Sequence, residues 1–123
     1  MASIIKRIDV LSELNLINDE DRLDLMALIE IIETHLKIEV TEENGGILIT
    51  HISAMFQRNK NGEQLDSLAK EIILELEDNE NYDAAIKVAE KIAAVIKNDV
   101  SVAEKGYLLL HLCTLISNTN REV

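Results

Sequence analysis

Proline is absent from this sequence and glycine occurs only four times, so the residues that interrupt helices are rare. Aromatic residues are also scarce, with one Phe, two Tyr and no Trp, which leaves a core of aliphatic side chains. The single cysteine, Cys113, excludes a disulfide framework within one chain. With 123 residues, 47% of them hydrophobic, the chain is long and apolar enough to fold as one domain. These features together predict an all-helical protein.

Basic residues are outnumbered, since 12 Lys and Arg stand against 23 Asp and Glu, and the net charge is −11. An acidic surface repels phosphate backbones, so we expect no direct binding to nucleic acid. It favours solubility and would also suit a partner with a basic docking face. The apolar runs are shorter than the ~18 residues of a spanning helix, and the N-terminal segment lacks the apolar core of a signal peptide. We therefore expect a soluble, cytoplasmic protein with no membrane insertion.

Motifs for metal and nucleotide binding are missing. The patterns HExxH, HxxxH and CxxC do not occur, so no two such ligands are spaced to share a helical face. The loops do not match the calcium pattern, and no Gly-rich phosphate loop precedes a lysine. The sequence predicts no metal site, no cofactor and no catalytic residue. Cys113 is expected to be a small core residue.

Polar clusters divide the chain into six predicted helices, so the expected architecture is an all-α bundle of about five core helices plus an N-terminal helix. By domain, we expect an N-terminal helical extension at 1–20, a helical domain at 21–117 and a polar tail at 118–123. The segments 41–46 and 59–64 are expected to be loops, the first because it contains a glycine pair. The predicted helices cover residues 3–17, 18–40, 47–58, 65–76, 82–96 and 101–117.

The start of the last helix carries its own signal. Ser101 is followed three residues later by Glu104, which is the spacing of a capping box. In such a box the hydroxyl and the carboxylate each satisfy a free backbone amide of the first turn. The helix is therefore predicted to begin at Ser101.

His111 stands out because it interrupts an apolar helix, in the stretch AEKGYLLLHLCTLI. Residues three and four apart share a helix face, so Glu104 and Tyr107 lie on the same side as this imidazole. That placement indicates the edge of a cleft, where a hydroxyl and a carboxylate could orient the ring. The alternative is a histidine at the margin of the core that is satisfied by one hydrogen bond.

The same question, whether the histidine is functional or merely packed, applies to two further histidines. His51 shares a face with apolar residues and has Arg58 two turns later, and it follows Gly45 and Gly46 closely. We expect it in the second turn of its helix, where free amides and the helix dipole favour phosphate. The alternative is again a packed histidine. His35 is expected to be a histidine at the solvent edge.

Three segments resemble the phosphotransferase-system regulation domain, or PRD. LITHISAMFQR resembles the first histidine motif of that family, in which an arginine follows the histidine by about two turns. VAEKGYLLLHL resembles the second, with Glu104, Gly106, Tyr107 and His111 in the family's places, and NENYDAAIKVAEKI resembles the middle helix. Thr50 stands where many family members have an acidic residue. The resemblance covers roughly residues 21–116.

The resemblance implies an antiparallel helical bundle that is often dimeric, with its histidines close together in a cleft. These histidines accept phosphoryl groups from the histidine-containing phosphocarrier protein or from a sugar-permease subunit. The phosphoryl group changes dimer packing and so switches an attached transcription regulator. On this resemblance His111 and His51 are the predicted phosphorylation sites, with Glu104, Tyr107 and Arg58 as supporting residues.

We therefore expect a stand-alone regulatory module of the sugar phosphotransferase system rather than an enzyme. It would form a homodimer and would signal through protein contacts. Two alternatives stay open from the sequence. One is a helical adaptor that is not phosphorylated, and the other is an enzyme or a small-ligand sensor that uses the cleft between His51 and His111.

Overall fold

The computed structural model describes residues 3–121, without the side chains of residues 120 and 121, and within this range the chain is a bundle of α-helices. The predicted all-α class is confirmed, since the described residues contain no strand beyond one isolated bridge between Ser3 and Thr41. The helices are α1 (Ile4–Glu13), α2 (Asp19–Leu36), α3 (Glu42–Asn61), α4 (Lys70–Asp78), α5 (Tyr82–Val95) and α6 (Val102–Arg121).

Side chains rather than glycine or proline set most helix starts. Before α2, the Asn18 side chain accepts from the Asp21 amide and the Asp21 carboxylate accepts from the Asn18 amide. Thr41 and Asn44 form the same reciprocal pair at the start of α3. Ser101 caps α6, since its hydroxyl accepts from the Glu104 amide at 3.2 Å. Each cap satisfies backbone amides that have no partner inside the helix.

Several predicted boundaries were wrong. The predicted loop at 41–46 is mostly helical, because the cap at Thr41 starts α3 five residues earlier than expected. α2 ends at Leu36 rather than near residue 40, because Lys37 adopts the left-handed conformation. α3 continues to Asn61 and ends at Gly62, whose φ of 72° suits glycine. α4 begins at Lys70, so the predicted start of the fourth helix at 65 was also wrong.

The core is aliphatic, as the composition predicted, and it lies between α2, α3, α5 and α6. Phe56, the one phenylalanine of the chain, is fully buried in it. Cys113 is buried as expected, and its burial raises the pKa of the thiol. α3 packs directly against α6. This pairing brings the two histidine motifs of the sequence against each other.

The N-terminal helix belongs to the same core. Ile4 and Ile8 of α1 are buried in the central cluster, and Leu16, just after the helix, accepts a hydrogen bond from Gln57. α1 therefore lies along α3, and it is not a detached extension. The division at residue 20 stays a prediction. At the other end α6 runs to Arg121, so part of the expected polar tail is helical, while residues 122–123, like 1–2, lie outside the described residues.

The described helices do not include one that is both long and apolar enough to cross a membrane.

Candidate functional site

The rings of His51 and His111 meet between α3 and α6. Their centroids are 4.5 Å apart and their planes are inclined by 40°. Both side chains are partly buried, and His51 exposes 16% of its side chain. The juxtaposition that the two sequence motifs predicted is therefore confirmed. The role of the two histidines as phosphorylation sites stays a prediction.

A fixed ion pair lies beside the histidines. Arg58 donates from Nε to Oε2 of Glu104 at 2.9 Å and from Nη2 to Oε1 at 3.0 Å. Glu104 is almost completely buried, with 3% of its side chain exposed, and Arg58 exposes 18%. A two-bond contact of this kind fixes the direction of a carboxylate as well as its charge. The Glu104 carboxylate therefore cannot rotate freely toward other groups.

One ring nitrogen of His51 faces this carboxylate without bonding to it. Its Nε2 lies 3.6 Å from Oε1 of Glu104, which is beyond hydrogen-bond distance. Among the described residues, Nε2 of His51 is the one buried side-chain nitrogen or oxygen that has no hydrogen-bond partner. Neither nitrogen of His111 belongs to that class. The two imidazoles thus differ, since His51 has a buried ring nitrogen without a partner and His111 does not.

Tyr107 completes the cluster on α6. Its ring centroid lies 5.7 Å from that of His51, with the planes inclined by 30°. Glu104 and Tyr107 were predicted to orient His111, because they share its helix face. The structure places both against His51 instead, across the contact between α3 and α6. All five predicted site residues are in one place, but the contacts centre on His51.

Both imidazoles are held in the neutral form near pH 7. Burial lowers the pKa of His51 from 6.5 to about 4; His111 lowers it further, Glu104 raises it, and Arg58 lowers it by the smallest amount. Burial also lowers the pKa of His111. A neutral imidazole has a free lone pair on one nitrogen, and that lone pair is what a nucleophile requires. The cluster therefore presents two neutral nucleophiles beside one salt bridge.

Two local predictions about this site were wrong. His51 was expected in the second helical turn, near free backbone amides, but α3 begins at Glu42 and His51 is its tenth residue. The helix N-terminus therefore cannot hold a phosphate on this histidine. In addition, the Glu104 carboxylate bonds Arg58 and not the amide of Ser101, so only the hydroxyl half of the predicted capping box is present among the described residues.

A second polar network, which sequence reasoning missed, anchors the segment that leads into α6. Asp24 is buried and accepts from the backbone amides of Lys97 and Asn98, both at 2.9 Å. Asp21, also buried, accepts from Lys60 at the end of α3 and from the Asn98 side chain. The signal was available, since two aspartates three residues apart stand within an amphipathic helix. The network ties the end of α3 and the segment that precedes α6 to α2.

Other residues stand apart from the cluster. His35 is exposed on α2, as predicted. Thr50 is turned away from the site and accepts from Nη1 of Arg7 at 2.7 Å. Within the part of the chain that the structure describes, no group of three or more His, Cys, Asp or Glu side chains is arranged to hold a metal ion.

Comparison with known proteins gives the family. Residues 26–114 match the family described as PRD domain, which is well over half of the chain. The chain therefore belongs to the PRD domain family, as its histidine motifs predicted. The PRD domain family is a family of regulatory domains.

A similar protein is known from Escherichia coli (strain K12), where it is described as the uncharacterized protein YhfY. The two sequences are 26% identical over 117 residues, which make up 95% of this chain and 98% of YhfY. The similarity thus includes the N-terminal helix as well as the PRD match. The comparison with solved structures gives no significant match.

Proposed function

We propose that this PRD domain accepts a phosphoryl group on its histidine pair, with His111 as the first acceptor and His51 beside it. The observation that carries the proposal is the ring contact between the two histidines inside a PRD match. Packing alone would need neither two imidazoles in contact nor a buried carboxylate fixed next to them. His111 is the favoured acceptor because neither of its ring nitrogens is buried without a partner, whereas Nε2 of His51 is.

The transfer needs little more than position and charge. A lone pair of neutral His111 attacks the phosphorus of a phosphohistidine on the donor, and the donor imidazole leaves with its electron pair. The leaving imidazole takes up a proton from water, and the proton on the other nitrogen of His111 is released to water, so the transfer consumes no net proton. The expected donor is the histidine-containing phosphocarrier protein or a sugar-permease subunit. A donor with a basic face would be attracted by the net charge of −11.

The output is proposed to be a change in protein contacts. A phosphoryl group brings about −1.5 to −2 charges into a half-buried site on an acidic protein. Apolar side chains near α1 and α3 are available for such contacts, since Val10, Leu14, Leu16 and Ile47 are between 46% and 76% exposed. We propose that this surface takes part in a homodimer. Added charge at the histidine site would then shift the dimer equilibrium.

The test is direct phosphorylation of the purified chain. The wild type, His111→Ala, His51→Ala and the control His35→Ala are incubated with a phosphocarrier charged from phosphoenolpyruvate, and acid-labile phosphate on each chain is followed. We expect label on the wild type and on the His35 control, and its loss from His111→Ala with the fold kept by circular dichroism. An unlabelled wild type with several cognate donors would reject phosphoryl acceptance.

The second candidate function is an adaptor that works through helix faces alone, and the exposed apolar residues near α1 and α3 favour it. An adaptor would lose partner binding on Ile47→Glu, whereas replacing His111 would leave that binding unchanged. A phosphoryl switch would respond to both substitutions.

A further inference from the structure

Nε2 of His51 is an anomaly in an otherwise satisfied interior. The described residues contain no other buried side-chain nitrogen or oxygen that lacks a hydrogen bond. A buried polar atom without a partner costs free energy, so its presence calls for an explanation. Oε1 of Glu104 lies 3.6 Å from this nitrogen, a separation that a small movement of the His51 ring would turn into a hydrogen bond.

The charges around this nitrogen balance only while the imidazole is neutral. The titratable groups that face His51 are Glu104, Tyr107 and His111 of α6 and Arg58 of its own helix. Arg58 and Glu104 neutralise each other through their two hydrogen bonds. With two neutral imidazoles the cluster has no net charge.

Neighbouring cations are already committed elsewhere. Arg7 of α1 bonds Glu42 and Thr50, and Lys60 at the end of α3 bonds Asp21. Among the described side chains that act on the charge of His51, Arg58 is the one permanent cation. A dianion placed on His111 would therefore meet no free positive charge from these side chains. The group that can acquire a positive charge is His51, whose ring already contacts that of His111.

We propose that His51 is the counter-ion of a phosphoryl group on His111, and that it takes up a proton when the group arrives instead of serving as a second acceptor. This inference rests on the function proposed above. The incoming proton comes from solvent and binds the free nitrogen of His51. The resulting imidazolium donates from Nε2 to the fixed carboxylate of Glu104 and lies against the phosphoryl-bearing ring.

The proposal makes Glu104 and Arg58 positioning residues. Glu104 holds the protonated ring of His51, and Arg58 keeps that carboxylate in place when the site is unmodified. The burial that holds the pKa of His51 at about 4 prevents the charge from forming too early. Phosphorylation is then coupled to the uptake of one proton, and Nε2 of His51 forms its hydrogen bond to Glu104 only in the phosphorylated chain.

The experiment is a nitrogen-15 NMR titration of the His51 ring in the unmodified and the phosphorylated chain, between about pH 5.5 and 8.5, where an unperturbed histidine titrates. The chain is phosphorylated with a charged phosphocarrier or with potassium phosphoramidate, a small donor that needs no protein docking. We expect His51 to stay neutral in the unmodified chain. In the phosphorylated chain its pKa should rise by about 3, to near 7, which is the upper end of the shift that a close opposite charge causes.

Three variants separate this role from a structural one. Glu104→Gln should remove part of the rise in the pKa of His51 while His111 still accepts the group. His51→Gln should still be labelled on His111, but its label at equilibrium should no longer increase on mild acidification. The control His35→Gln should behave like the wild type in both respects.

Three results would overturn the inference. Phosphate mapped to His51 by mass spectrometry would make it an acceptor, and an unchanged titration after phosphorylation of His111 would remove the counter-ion. Both would leave phosphoryl acceptance intact. A chain that takes no phosphate from either donor would reject the proposed function, and the counter-ion role with it.

Discussion

Acid should destabilise the unphosphorylated protein through protonation of His51. Its pKa is about 4 in the folded chain against 6.5 for an unperturbed histidine. A lowered pKa means that the fold prefers the neutral ring, so the contribution to stability is complete above pH 6.5. It is lost as the pH falls from 6.5 toward 4, because the unfolded chain binds the proton first.

The size of the effect follows from the two pKa values. At pH 4.5 the unfolded chain is almost fully protonated at this position, while the folded chain is protonated in only a fraction of molecules. The linkage relation then gives a loss of about 2.5 kcal/mol relative to pH 7, at 1.36 kcal/mol per pKa unit. That is a substantial part of the 5–15 kcal/mol that stabilises a typical domain.

The assay is urea unfolding of the wild type and of His51→Gln between pH 7 and about pH 4.5. Glutamine cannot titrate, so the stability difference between the two chains should shift in favour of the variant by about 2.5 kcal/mol on acidification. Burial opposes the lowered pKa of Asp21, but Lys60 and other hydrogen-bond donors outweigh it. Protonation of such carboxylates also destabilises the fold in acid, but it does so in both chains. His35→Gln serves as the exposed control. Parallel profiles of wild type and His51→Gln would refute the burial argument.

Three further expectations concern stability and assembly. Arg58→Ala should cost roughly 3–5 kcal/mol, because it leaves the Glu104 carboxylate buried without a partner, and urea melts of Arg58→Ala/Glu104→Gln should recover part of that loss. Ser101→Ala should cost about 0.5–2 kcal/mol through the lost cap of α6, and an unchanged urea midpoint would show that the cap contributes nothing. Light scattering after size exclusion should show a dimer at micromolar concentration that Ile47→Glu weakens, whereas a monomeric wild type would exclude self-association in that range.

Helical periodicity located the helices, but it did not locate all of their ends. The pair Gly45 and Gly46 was expected to mark a loop, yet both residues lie inside α3. A Cβ on Gly45 would come within 2.5 Å of a methyl group of Val40, so glycine is required there by close packing and not by a turn. The cap at Thr41 was also hard to recognise, because its partner is Asn44 and not the usual Glu or Gln.

The fourth helix shows how tertiary contacts override a continuous pattern. Apolar residues from position 65 to Leu76 keep helical spacing, and this predicted one helix over the whole stretch. The structure starts α4 at Lys70 and leaves Leu68 in the preceding loop. From there Leu68 packs toward Gly106 of α6, where a Cβ would lie 3.4 Å from its methyl group. The spacing pattern contains no information about this contact, so it could not locate the start of α4.

The sequence predicted which residues form the site but not which of them contact each other. His51, His111, Glu104, Tyr107 and Arg58 were found from two motifs, and they do lie together. Spacing along one helix can assign neighbours only on that helix, so Glu104 and Tyr107 were matched with His111. Which partner a side chain meets across two packed helices depends on their relative rotation, and the sequence pattern does not specify that rotation.

The effect of Thr50 on His51 also depends on contacts between helices. Many PRD sequences carry an acidic residue before the first histidine, and Thr50 therefore argued against a role for His51. In this chain the Thr50 side chain bonds Arg7 and helps to hold α1 along α3, so it faces away from the imidazole. The carboxylate that faces His51 comes instead from Glu104 on α6, and Arg58 fixes it from the same helix as the histidine. A threonine at position 50 therefore leaves His51 with its acidic neighbour.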